Sequence, residues 1–116
     1  MKPIFYCGNV KQNILGFESK ARQRILRLLA KLGDGLNLQP KDFKYMGSIG
    51  AGVYELRVRT EKQYRVFYVA KFAEAIYVLH AFIKKEQKTS QHDINIGSQW
   101  YKALITNRGA ENVRKN

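Results

Sequence analysis

Arg57, Arg59 and Arg65 fall close together in "VYELRVRTEKQYRVFYV", and Lys84, Lys85 and Lys88 crowd into "AFIKKEQKTSQHD" further along the chain. A guanidinium group stays charged and offers a planar fork of donors that matches phosphate oxygens. Lysines packed against arginines are pushed by like-charge repulsion toward lower pKa values, and so toward proton transfer. The residue types therefore fit a site that holds a phosphodiester, stabilises charge on it and moves a proton. His92 is a candidate acid or base by residue type. A plainer reading applies near turns, where Arg59, Lys62 and Lys71 would solvate a sheet edge and discourage aggregation. No His/Cys or carboxylate cluster has metal-ligand spacing, so neither a metal nor another cofactor is expected. The lone Cys7 reads as a small buried or half-exposed thiol, and His80, inside the most apolar run, as a satisfied core histidine.

The whole chain shares this charge. Its 116 residues carry 21 Lys and Arg against 9 Asp and Glu, a formal net charge of +12. Such a balance attracts polyanions, with nucleic acid the first partner to consider. A membrane surface or a strongly acidic protein would satisfy the same sign. With 45% hydrophobic residues the chain is no disordered basic tail. The opening "MKPIFYCGNV" has no long apolar stretch behind its basic residue, and no apolar run nears the ~18 residues of a membrane span. A cytoplasmic protein without a membrane partner is expected.

Changes of period along the chain predict the elements that position these residues. A strand is expected at 3–6, then helices at 10–17 and 19–33, broken at Gly16 or Phe17 and restarted at Glu18 and Ser19. In the second helix Ile25, Leu28, Leu29 and Leu32 recur at three- and four-residue steps, basic residues fill the outer face, and Gly33 is placed to stop it. The segment "DGLNLQPKDFKYMGSIGAG" reads as a connecting loop, and its glycines make no phosphate-binding pattern. The period then becomes two, giving strands at 53–59 and 64–70. An apolar run at 75–82 is expected to be buried on both faces in the middle of the sheet. Asp93 is placed to cap a helix at 93–106 with Ile96, Trp100, Leu104 and Ile105 as its apolar positions, and residues 108–116 form a polar tail.

Whether the arginines meet depends on the turn at "TEKQ". An odd-numbered turn puts Tyr54, Leu56 and Val58 on one face with Tyr64, Val66 and Tyr68, leaving Arg57, Arg59 and Arg65 together on the other. An even-numbered turn would exchange every side chain. The first register keeps one face apolar for a helical hairpin to cover. It sets Arg57 beside Arg65, a repulsive pair unless an anion or a carboxylate lies between them; Glu55, on the same face, could be that carboxylate.

Three motifs in order, Tyr54-Glu55-Leu56-Arg57, Tyr64-Arg65 and "FIKKEQKT" (82–89), together with the upstream "ARQRILRLLAKLGDG", resemble the RelE/HigB superfamily of bacterial toxins, closest to its phage-derived HigB-like branch. The resemblance covers about residues 1–107, a single domain. It implies an α+β fold: a small antiparallel sheet with a mixed edge, an N-terminal helical hairpin packed on one face and a C-terminal helix. It also implies a type II toxin that cleaves messenger RNA in the ribosomal decoding site and is neutralised by a helix-turn-helix antitoxin of the HigA kind. Arg57, Arg65 and Lys85 match basic positions of the family. Where the RelE branch carries a tyrosine that helps the chemistry, this sequence has Gln91 and His92.

Metal-independent RNA cleavage requires a deprotonated 2′-hydroxyl, stabilised charge on the pentacovalent phosphate and a protonated leaving oxygen. Arg65 is assigned to the phosphate charge and Lys85 to phosphate contact or proton transfer. Arg57 and Lys84 would position the backbone, with Lys88, Arg59 and Lys62 as further phosphate or ribosomal RNA contacts. Two other readings stay open: a non-catalytic RNA-binding module of the same fold, and a protein-interaction factor whose basic face meets an acidic partner.

Overall fold

The computed structural model of the protein describes the backbone of residues 1–115 and the side chains of residues 1–108. Its elements are β1 (Ile4–Tyr6), α1 (Val10–Leu15), α2 (Ser19–Gly33), β2 (Phe43–Tyr45, entered by a 3-10 turn at Pro40–Asp42), β3 (Val53–Arg59), β4 (Gln63–Val69), β5 (Ile76–Lys84) and α3 (Gln91–Lys115). All five strands form one sheet in the order β1-β5-β4-β3-β2. Neighbours are antiparallel except β1, which runs parallel to β5. The fold is α+β with a mixed edge, as the sequence led one to expect.

Each face of the sheet has its own helical cover. On one, Val10 and Ile14 of α1 and Ala21, Ile25, Leu28 and Leu29 of α2 pack on Leu56, Val58, Tyr64, Val66 and Tyr68. On the other, Leu104 of α3, flanked by Ile94 and Tyr101, packs on Val53, Phe67, Val69, Leu79 and Phe82. The β3–β4 hairpin has the odd-numbered register, with Leu56 opposite Val66 and Arg57 opposite Arg65. Between the two helices of the hairpin, Gly16 caps α1 and Glu18 precedes α2, where the sequence placed the break.

Several expectations need correction. The segment read wholly as a connecting loop contains β2, an edge strand paired with Tyr54–Leu56 and too short to show a period. The run at 75–82 becomes an interior strand, β5, but the middle of the sheet is β4, buried from Tyr64 through Val69 despite its polar pattern. Gly33 is the last residue of α2, and the turn is made by Gly35 at φ +76°, where Leu36 N donates to Lys31 O and Gly35 N to Leu32 O. That pair of bonds closes a helix end and needs the left-handed conformation that glycine adopts without steric cost.

The last helix starts earlier and runs longer than 93–106, and it packs along a different seam. Trp100 and Ile105, expected on its apolar face, are exposed; the seam is Ile94, Gly97, Tyr101 and Leu104. Gly97 lets α3 approach the sheet, since a Cβ there would lie 2.8 Å from Phe67 Cδ2. Of the expected polar tail, Arg108 stacks on Phe72 and pairs with Glu74, while the side chains from residue 109 on lie outside the described residues.

One irregularity decides which side chains reach the candidate site. Phe67 lies opposite His80, but its neighbour Tyr68 lies opposite Val78, so β5 carries one extra residue at this point. Such a bulge reverses the alternation of the strand beyond it. Tyr77 and Leu79 face α3 before it; His80, Phe82 and Lys84 share that face after it, and Ala81 and Ile83 turn to the helical hairpin.

Candidate phosphate-binding site

Glu55 lies at the centre of the basic face, 1% exposed. Its Oε1 is 3.3 Å from Arg57 Nε and 3.4 Å from Arg65 Nε, and its Oε2 accepts a 3.0 Å hydrogen bond from Thr89 Oγ1. The carboxylate thus stands between two arginines that oppose each other across β3 and β4. An isolated buried carboxylate would be prohibitive, and this one is held by two cations and a hydroxyl.

The two arginines are held differently. Arg65 is 7% exposed; its Nη1 donates to Tyr64 O at 3.1 Å and its Nη2 to Gln63 Oε1 at 2.8 Å. Its Nε faces Glu55 without the alignment of a hydrogen bond, the one buried side-chain polar atom left so among the described residues. Burial lowers the Arg65 pKa from its ordinary value, Glu55 opposes that shift, and Arg57 and Arg59 add to it. Arg57 is the freer group. Its side chain is 34% exposed, only its Nε is engaged, and its terminal nitrogens are left to a ligand.

Lys84 joins this face through the bulge. Its pKa is lowered by partial burial and by repulsion from Arg65, with Arg57 and Lys44 adding and Glu55 opposing. Lys44 stands opposite Glu55 on β2 and extends the basic face to the sheet edge. The lysine expected to carry proton transfer, Lys85, lies one residue past the strand, exposed. It lines both a 280 Å³ cleft with Lys84, Glu86, Lys88, Ser90 and Asp93 and a groove on the α1 side with Gln12, Phe17 and Ile83.

The loop holding these lysines is fastened on its C-terminal side. Ser90 caps α3: its Oγ accepts from Asp93 N at 3.1 Å and donates to Asp93 Oδ2 at 2.6 Å. The helix cap expected at Asp93 is therefore Ser90, with Asp93 two residues inside the helix, an arrangement the spacing Ser-x-x-Asp could have revealed. The other Asp93 oxygen, Oδ1, is 2.7 Å from His80 Nε2, so His80 is indeed a satisfied core histidine. Thr89 ties the same segment to Glu55.

A second cleft, of 430 Å³, is lined by Arg57 and Arg65 together with Arg59, Arg24, Lys41 and Asp42. The structure brings Arg57, Arg59 and Arg65 together there, with Lys84 electrostatically coupled to Arg57 and Arg65. Lys62 is exposed in the β3–β4 turn, and His92 is exposed on the first turn of α3; neither lines the two clefts. Arg24, Lys41, Lys44 and Thr89 were missed as site residues: Arg24 and Thr89 lie within the stretches that carry the family resemblance, but the contacts of all four with this face are made across elements, which no local spacing shows.

Cys7 is buried, and its thiol is pushed up to about 11 by desolvation. Among the described residues no group of three or more His, Cys, Asp or Glu is placed to hold a metal ion, and no helix is long and apolar enough to cross a membrane.

Sheet and site define a class: a small α+β protein that concentrates arginine and lysine around one buried carboxylate, facing a charged cleft. The chain belongs to the family described as phage derived protein Gp49-like, whose pattern matches residues 12–102, and this is a family of RelE/HigB-like toxins. No curated protein matches the chain significantly.

Proposed function

We propose that the protein is the toxin of a type II toxin–antitoxin pair, of the HigB-like branch, and that it cleaves messenger RNA on the translating ribosome without a metal ion. The observation that carries this reading is the opposition of Arg57 and Arg65 across the hairpin, with Arg57's terminal nitrogens open to a ligand and Lys84 on the same face. Arg57 and Arg65 hold the phosphodiester and stabilise the charge that grows on it as the 2′-oxygen attacks phosphorus. The proton from the 2′-hydroxyl passes to a base, and the departing 5′-oxygen takes one from an acid. Lys85 at the rim and Lys84 beside Arg65 are the candidates for proton transfer. The lowered pKa of Lys84 favours release of its proton. Lys88, Arg59 and Lys62 contact RNA phosphates or ribosomal RNA.

The setting is the cytoplasm, and the neutralising partner is a HigA-like helix-turn-helix antitoxin presenting an acidic segment to a chain of net charge +12. One observation favours a second reading, a non-catalytic RNA-binding module: His92, the only histidine named for chemistry, lies outside both clefts. Induced expression followed by mapping of messenger RNA ends, with and without translation, decides between them. Growth arrest with cuts confined to translated messages is the expected result. Efficient cleavage of naked RNA would contradict ribosome dependence, and binding without any cuts would leave the module.

A further inference from the structure

The 430 Å³ cleft has a second wall built from elements far apart in the chain. Arg24 reaches it from α2, Lys41 from the 3-10 turn and Arg59 from the end of β3, joining Asp42, Arg57 and Arg65. The volume falls in the range of roughly 300–1,000 Å³ that encloses small ligands, but such pockets are lined mainly by apolar groups. Here every lining side chain is charged, five cations to one carboxylate. That lining suits the backbone of a nucleic acid, where phosphate contacts dominate.

The carboxylates do not cancel this excess. Asp42, 6% exposed, is paired with Arg24 at 3.1 Å, and Glu55 is shared by Arg57 and Arg65. Lys41 and Arg59 make no ion pair among the described residues. The sheet edge brings the two walls together: β2 pairs with β3 only at Tyr54–Leu56, and the 3-10 turn at Pro40–Asp42 packs against β3 in place of a further strand. Cations gathered at a sheet edge in excess of the acids beside them raise the local concentration of an anion.

We propose that Arg24, Lys41 and Arg59 form a second phosphate subsite that holds single-stranded RNA next to the phosphodiester bound at Arg57 and Arg65. The inference rests on the reading of Arg57 and Arg65 as the site of the reacting phosphate. RNA then lies across the face from the lysine loop to the sheet edge. The charge of Asp42, paired with Arg24, opposes the cations in this arrangement and offsets part of the attraction for RNA.

The opposition makes a test of two signs. The probe is a short single-stranded RNA with 2′-O-methyl sugars, which lacks the nucleophile, so its binding reads out independently of cleavage. Arg24→Ala and Lys41→Ala should each weaken binding about fivefold to tenfold at low salt and reduce the slope of log affinity against log salt by about 0.7 per lost contact. Arg24→Lys should restore most of the loss. Asp42→Asn, which keeps shape and removes charge, should strengthen binding. Thermal unfolding of each variant identifies any that fail to fold, and Arg59→Ala, at an exposed position, supplies the same measurement without risk to the core. Unchanged affinity in folded Arg24→Ala and Lys41→Ala, or weaker binding by folded Asp42→Asn, would overturn the subsite. Failure of the reaction reading shows separately, as an absence of message cleavage beside intact binding of the probe.

Discussion

Removing a carboxylate that is 1% exposed between two guanidinium groups leaves their charge behind, and Glu55 is such a group. Glu55→Gln keeps the shape but abandons Arg65 in a buried position, so a loss of about 3 kcal/mol in urea unfolding is expected. Lys84 should respond with the opposite sign. Its folded-state pKa is lowered, so the folded protein carries the protonated amine at a cost at neutral pH, and the cost disappears as pH rises from the lowered value toward 10.5. Lys84→Gln should therefore raise the melting temperature at neutral pH, with the gain over wild type shrinking as pH climbs through that interval. For the reaction itself, Arg65→Ala or Lys85→Ala should slow single-turnover cleavage on programmed ribosomes by on the order of tenfold to a thousandfold, with a much smaller loss of ribosome binding. Lys88→Ala, exposed at the rim, should mainly weaken binding and its salt dependence. Equal loss of affinity in all three with an untouched saturated rate would reduce the lysine loop to a docking patch.

At the scale of elements, the β5–α3 connection is set by three side chains rather than by a turn type. Ser90→Ala removes the helix cap, with both hydrogen bonds between Ser90 Oγ and Asp93, and a loss of about 1 kcal/mol is expected from thermal or denaturant unfolding. Cleavage should fall with it if loop geometry matters to Lys85. The same connection shows why some of the site could be read in the sequence and some could not. Alternation in β3 and β4 carries phase, so Arg57 and Arg65 could be placed opposite one another from Tyr54, Leu56, Val66 and Tyr68 alone. The apolar run of β5 carries no phase, because both its faces are buried. The bulge near Leu79 therefore left no trace, and with it was lost the fact that Lys84, rather than Lys85, shares the face of the arginines. The α3 seam was obscured for a related reason: Gly97 is a contact position through its lack of a side chain, while Trp100 and Ile105 are large, apolar and exposed. β2 and the Arg24–Asp42 pair depend on tertiary contacts that no local pattern encodes.

For the molecule as a whole, a formal charge of +12 on a single small body makes association with a polyanion fast and salt-sensitive. The parallel pairing of β1 with β5 has a different consequence, one of timing. Ile4 must wait for Ile76, and Glu55 must wait for Thr89, before either has its native partner. Pairings so distant along the chain form late, since loop closure has to precede any gain from contact. During synthesis, the N-terminal two-thirds of the polypeptide thus leaves the exit tunnel with neither a completed sheet nor an assembled basic site. Under the proposed function, a nuclease of translated messages assembled in this order stays inactive on the ribosome that is making it until the segment after β5 has emerged. Stalled nascent chains ending before Ile76 should be digested rapidly by protease, and those extended through α3 with enough linker to clear the tunnel should resist. Equal resistance in both would show that the N-terminal part folds alone and that the delay does not exist.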